Sequence, residues 1–167
     1  MTAKTYLLDT NILIQAKNDY YRFSTFPSFW NALISEHNNE KLYSIDKIRD
    51  ELLKFNDELS DWIDKILPRA FFRSVVDPDV IEEYKKMVRW VKSLDRLFDS
   101  AKSKFAEADN ADAFLIAYAI AYDFVVVTHE EGRSTSKKVI KIPDVCAEYG
   151  VKCINTFDLL EELKVRF

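Results

Sequence analysis

Two short apolar runs, far apart in the chain, each lead to an acid: Tyr6-Leu7-Leu8 is followed by Asp9, and Phe124-Val125-Val126-Val127-Thr128-His129 by Glu130. Runs of this length and composition read as strands, and the stretches between them carry helical patterning. Strands alternating with helices predict an α/β sandwich with a largely parallel sheet. Open α/β folds gather their ligands beyond the carboxyl ends of the strands. Asp9 is therefore the first candidate for chemistry, and Glu130 the second.

The helical patterning is explicit in several places. Asn11 stands where it can cap a helix beginning with Ile12-Leu13-Ile14, and Phe23 to Glu36, with Pro27 near its start, forms an aromatic-rich second helix. Ser44 is placed to cap a helix on which Ile45, Ile48, Leu52, Phe55, Leu59, Trp62 and Ile66 form one stripe ending at Pro68. Phe71 to Val76 reads as a strand. Asp77-Pro78-Asp79 opens a helix or helical hairpin reaching about Lys104. Ala106 to Tyr122 is apolar on all sides after Asp112, the mark of a buried helix. Val139 to Ile142 reads as extended, Pro143 to Gly150 as a helix with its stop, Val151 to Ile154 as the last strand, and Phe157 to Leu163 as a helix capped by Thr156.

A chain of 167 residues, 48% hydrophobic, is expected to form one domain over residues 1–167. Its longest apolar run, Ala113 to Tyr122, is about half of a membrane span, and the start lacks a secretory pattern. Cys146 and Cys153 have neither CxxC spacing nor a nearby histidine. A soluble, reduced, cytoplasmic protein is expected. The net charge of -4 argues against general coating of nucleic acid, but Arg133, Lys137, Lys138 and Lys141 leave the Glu130 strand end together, where they can meet phosphates or simply form a solvated loop.

Two further acids stand where the apolar pattern predicts burial. Glu51 lies beside the stripe of its helix, and Asp112 follows Asp109 by three residues with Leu115 and Ile116 one turn on. Each of the four acids has an ordinary alternative: a turn or cap at Asp9, the flank of a core at Glu51, a favourable helix start at Asp112. If they converge, their like charges raise one another's pKa unless something offsets them. Mg²⁺ or Mn²⁺ does so with oxygen ligands alone, whereas His37 and His129 are too few for a histidine-rich zinc site.

The pieces Leu7-Leu8-Asp9-Thr10-Asn11, Ile48-Arg49-Asp50-Glu51-Leu52, Asp112-Ala113-Phe114-Leu115-Ile116-Ala117 and Val126-Val127-Thr128-His129-Glu130 resemble, in order and approximate spacing, the PIN-domain ribonucleases, including VapC-like toxins. The resemblance covers nearly the whole chain. It implies a PIN-like three-layer sandwich and a Mg²⁺- or Mn²⁺-dependent endoribonuclease. Its catalytic and metal-binding acids would be Asp9, Glu51, Asp112 and Glu130, with Asn11 and Thr128 ordering the site. RNA would be contacted by Arg133, Lys137 or Lys138. Two departures stand out: the fourth acid is glutamate where aspartate is more usual, and the Asp112 motif has one extra residue before Ile116-Ala117.

The same resemblance implies a small antitoxin partner, and abundant aromatic residues suit a homodimer. Two rival readings remain. A haloacid-dehalogenase-like phosphatase also begins with an acid at the first strand end, but Asn11 stands where its second acid would be. A non-catalytic PIN-like scaffold would bind without cutting.

Overall fold

A computed structural model describes residues 3–95, 97–107, 110–132 and 138–167. The strands are β1 (Tyr6–Leu8), β2 (Leu42–Ile45), β3 (Phe72–Arg73), β4 (Val125–Val127) and β5 (Cys153–Ile154). The helices are α1 (Thr10–Gln15), α2 (Pro27–Asn38), α3 (Asp46–Leu53), α4 (Glu58–Lys65), α5 (Pro78–Lys92), α6 (Asp99–Phe105), α7 (Ala111–Tyr122), α8 (Ile142–Glu148) and α9 (Thr156–Glu162).

The strands form one all-parallel sheet in the order β3-β2-β1-β4-β5, flanked by helices as in a PIN-like fold. Parallel strands buried on both faces need continuous apolar runs, which Tyr6-Leu7-Leu8 and Val125-Val126-Val127 supply. Leu8 pairs with Val127, and Val127 with Ile154. The strand order runs outward from β1 in both directions, so the crevice beyond β1 and β4 is the switch point where such sheets bind ligands. Asp9 and Thr128 are the first residues past these two strands.

Burial explains why α7 is apolar all round: Ala113, Leu115, Ile116 and Ala117 are wholly shielded from solvent. Tyr84 of α5 stacks on Phe114 of α7 with ring centroids 4.2 Å apart. At the other end of the core Trp30 stacks on Phe23 at 4.0 Å and meets Trp62 edge-on at 4.9 Å. Its indole N–H donates to the Tyr21 carbonyl at 2.7 Å, which satisfies the one polar atom of a buried ring.

Several elements depart from the sequence reading for identifiable reasons. Ser44 does not cap a helix; it lies inside β2, fully buried, and its hydroxyl donates to the Leu8 carbonyl at 2.8 Å. The stripe expected over Ile45 to Ile66 is split into α3 and α4. Asn56 turns the chain at φ 48° and Asp57 caps α4 reciprocally with Ser60, which leaves Phe55 and Ile66 each 61% exposed. The stretch from Asp77 is the hairpin alternative, α5 then α6, and Phe98 between them faces solvent. Capping also shifts. Asp9, not Asn11, caps α1; Asn110 starts α7 later than expected; and Asn155, not Thr156, caps α9. A π-helical turn, Ala16–Tyr20, continues α1. Ile142, expected to close an extended segment, already belongs to α8, with Lys141 before it extended.

Asp57 joins its cap to an ion pair with Lys17 at 2.7 Å. Asp57→Ala is expected to cost about 1 kcal/mol or more, read as a fall of about 2–4 °C in the thermal unfolding midpoint. Asp61→Ala, which loses a solvent-exposed pair with Lys65 and an acid of the first turn of α4, should shift it by less.

Candidate active site

Asp9 is held from both sides. Its backbone N–H extends the ladder to the Val127 carbonyl at 2.9 Å, and the side chain then turns to cap α1. Oδ1 accepts from the Thr10 N–H at 2.7 Å and Oδ2 from the Thr128 hydroxyl at 2.8 Å, with the residue only 3% exposed. A threonine hydroxyl has one proton and two lone pairs. Thr128 donates the proton to Asp9 and accepts from the Glu130 N–H at 3.1 Å and the Asn11 amide at 3.4 Å. The Asn11 carbonyl oxygen accepts from the His129 N–H at 3.1 Å. Asn11 thus both donates and accepts, which an ionised aspartate at this position could not do.

The other acids approach from separate elements. Glu51, on α3, accepts from the Thr10 hydroxyl at 2.9 Å, so the residue after Asp9 orients a second carboxylate. Glu130 accepts at Oε2 from the Ile142 N–H at the start of α8, at 2.8 Å. Asp112 lies in the first turn of α7, where the unpaired backbone N–H groups favour negative charge. It stands between two lobes of a cleft: a lobe of about 120 Å³ shared with Glu130, and another of about 250 Å³ shared with Glu51.

The electrostatics tie the four together. Burial pushes Asp9 up to about 7, with Asp112 and Glu130 adding repulsion and the bonds from Thr128 and Thr10 opposing it. Asp112 is pushed up to about 6, first by burial and then by Glu130 and Glu51, with Lys104 and Lys141 acting the other way. Carboxylates that raise one another's proton affinity describe a site short of positive charge. Among the described residues, no three histidine, cysteine, aspartate or glutamate side chains are gathered tightly enough to form a ready metal-binding group. By chemistry the donors nonetheless fit a hard cation. All four are carboxylates, and the hydrogen bonds to Asp9, Glu51 and Glu130 leave lone pairs free on each.

Of the three basic residues expected near RNA, Lys138 lines the lobe shared by Asp112 and Glu130. Arg133 and Lys137, like Asp109, lie outside the described residues. The structure adds three residues, Thr10, Asn110 and Lys104, to the surroundings of the site and sets Lys141 beside them. Thr10 orients Glu51, Asn110 caps the helix that carries Asp112, and Lys104 and Lys141 act on Asp112 electrostatically. Asn110 alone had a readable signal, an Asn directly before an apolar helix. The His129 Nε2 lies 2.9 Å from the Thr156 hydroxyl, and burial lowers the pKa of the ring.

The all-parallel five-stranded sheet flanked by helices is a PIN-like α/β fold. Within that class, the chain belongs to the family described as "Domain of unknown function (DUF4411)", which matches residues 6–167. Among solved structures it is similar to FitAcB from Neisseria gonorrhoeae. That crystal structure matches with a TM-score of 0.54 and 17% sequence identity, covering 92% of this chain and 99% of that one. At this identity the likeness carries the fold. No curated protein matches the chain. No helix among the described residues is long and apolar enough to cross a membrane.

The raised carboxyl groups make stability depend on pH with a definite sign. A folded-state pKa above the unfolded value means that the folded protein binds more protons in between, so stability falls as pH rises through that window. For Asp9 the window runs from 3.8 to about 7. Metal-free protein is expected to melt at a lower temperature near pH 8 than near pH 5. Asp112→Asn should reduce this loss and stabilise the metal-free protein at the higher pH by on the order of a few kcal/mol.

Proposed function

We propose that this chain is a metal-dependent ribonuclease that hydrolyses RNA phosphodiester bonds with Mg²⁺ or Mn²⁺. The observation that carries the reading is the raised proton affinity of Asp9 and Asp112, which burial and repulsion by neighbouring carboxylates produce: Asp112 and Glu130 act on Asp9, and Glu130 and Glu51 on Asp112. Asp9 and Asp112 would hold the ion most directly, with Glu51 and Glu130 as further ligands, directly or through water. When bound, the ion activates water and neutralises the phosphate.

The chain's own residues set up the rest. Thr128 and the Thr10 N–H fix both oxygens of Asp9, so its orientation is set before a ligand arrives. Thr10 directs Glu51 towards the Asp112 side of the cleft, from which it can orient an attacking water. Burial of Asp9 excludes bulk solvent beneath the site. Lys138, with Arg133 or Lys137, would meet the RNA backbone. By analogy with VapC-like toxins, the partner proposed for this chain is a small antitoxin that would cover the acids.

Mn²⁺ titration by calorimetry, paired with cleavage of a mixed-sequence single-stranded RNA, tests the reading. Wild-type protein should bind the ion and cut RNA, and Asp9→Ala and Asp112→Ala should each lose both. Affinity should weaken as pH falls through about 7, where Asp9 takes up a proton. Hydrolysis of phosphomonoesters without RNA cleavage would sink it in favour of the phosphatase. Absence of both metal binding and cleavage would favour the scaffold. Co-purification with the product of an adjacent small reading frame, and loss of cleavage in that complex, tests the antitoxin.

A further inference from the structure

The hairpin of α5 and α6 brings a cation to the acid cleft that strand-end reasoning does not reach. Lys104, one residue from the end of α6, lines both lobes, the one with Asp112 and Glu130 and the one with Glu51 and Asp112. The residue is exposed, and among the described residues its ammonium makes no ion pair within 4.0 Å. It is near enough to act electrostatically on Asp112, yet it neutralises none of the acids by direct contact.

Its backbone is held firmly. Ala101 and Phe105 of α6 are buried, the Tyr84 hydroxyl donates to the Ala106 carbonyl at 2.7 Å, and the Lys102 ammonium donates to the Lys92 carbonyl at 3.1 Å. The decisive contact is Asn110. Its Nδ2 donates to the Lys104 carbonyl at 2.9 Å, while its Oδ1 accepts from the Ala113 N–H at 3.1 Å and so caps the helix carrying Asp112. One side chain therefore registers the Lys104 backbone against the first turn that bears the acid. A phosphodiester approaching several carboxylates needs a positive partner on the protein side, and an exposed ammonium that makes no ion pair among the described residues can supply one.

We propose that Lys104, registered by Asn110, grips the backbone phosphate of single-stranded RNA at this cleft. This rests on the ribonuclease reading and adds the residue that holds the substrate. Lys138 lines the lobe of Asp112 and Glu130. Lys104 lies at both lobes, so it meets the strand whichever one the phosphate enters.

The test uses the full chain with Asp112→Asn to prevent cleavage, alone or combined with Lys104→Met or Lys104→Arg. Binding of a short, mixed-sequence single-stranded RNA is followed by fluorescence anisotropy across a salt series. Lys104→Met should weaken binding about tenfold at low salt and lower the slope of log K against log salt by about 0.7, the loss of one phosphate contact. Lys104→Arg should restore both. In parallel, Lys104→Met with Asp112 intact should still bind Mn²⁺, which reports both folding and the acid site. Unchanged RNA affinity and salt slope in Lys104→Met, with Mn²⁺ still bound, would overturn the role of Lys104 and leave the ribonuclease reading standing. Failure of wild-type protein to bind Mn²⁺ together with failure of the Asp112→Asn protein to bind RNA would overturn both. A loss of RNA binding that Lys104→Arg does not restore would also count against a phosphate contact.

Discussion

The hydrogen bond from the Thr128 hydroxyl to Asp9 joins the two halves of this protein at the point where its chemistry would occur. Thr128 follows β4 and Asp9 follows β1, so the bond continues across the sheet edge the pairing of Leu8 with Val127. Burying Asp9 without donors would be costly, and the donors are what make a carboxylate tolerable there. The same hydroxyl accepts from the Glu130 N–H and the Asn11 amide, so the position of Glu130 and the entry to α1 are set by one oxygen atom. Valine would preserve the volume of Thr128 and leave Asp9 without one donor, its neighbours Glu130 and Asn11 without an acceptor.

Three of the four acids are gripped by protein donors, and Asp112 differs. Among the described residues no hydrogen bond reaches its carboxylate; its placement comes from the start of α7 and from Asn110, which caps that start. Fixing an acid through its helix rather than through its oxygens leaves all of its lone pairs for a ligand. The α5–α6 hairpin, which lengthens the middle of the chain, is tied into this arrangement by Asn110 and by the stacking of Tyr84 on Phe114.

Much of this was legible in the residue order. Asp9 and Glu130 could be placed because each closes an apolar run, and Asp112 because its neighbours one turn on are Leu115 and Ile116. The sheet follows from strands alternating with helices. Ser44 was misread because a buried serine before an apolar stripe carries the same local signal as a cap; what decides is the Leu8 carbonyl, brought alongside by parallel pairing. The break at Asn56-Asp57 was hidden because the apolar spacing continues through it, with Phe55 and Ile66 keeping the period while facing solvent. Thr10 and Lys104 were beyond reach for another reason: each matters through a partner on a distant element, and nothing within a few residues of either announces it.

The topology also orders events in time. β1 is the central strand, yet one of its neighbours, β4, comes from the far end of the chain, and Thr128 lies 119 residues beyond Asp9. Pairings this distant are slow to form because the intervening chain must first be closed into a loop. During synthesis Asp9 and Glu51 emerge before the segment after β4, whose Thr128 holds Asp9. A chain synthesised only as far as α7 therefore lacks Thr128 and Glu130, and whatever the cleft does begins only once β4 has been made.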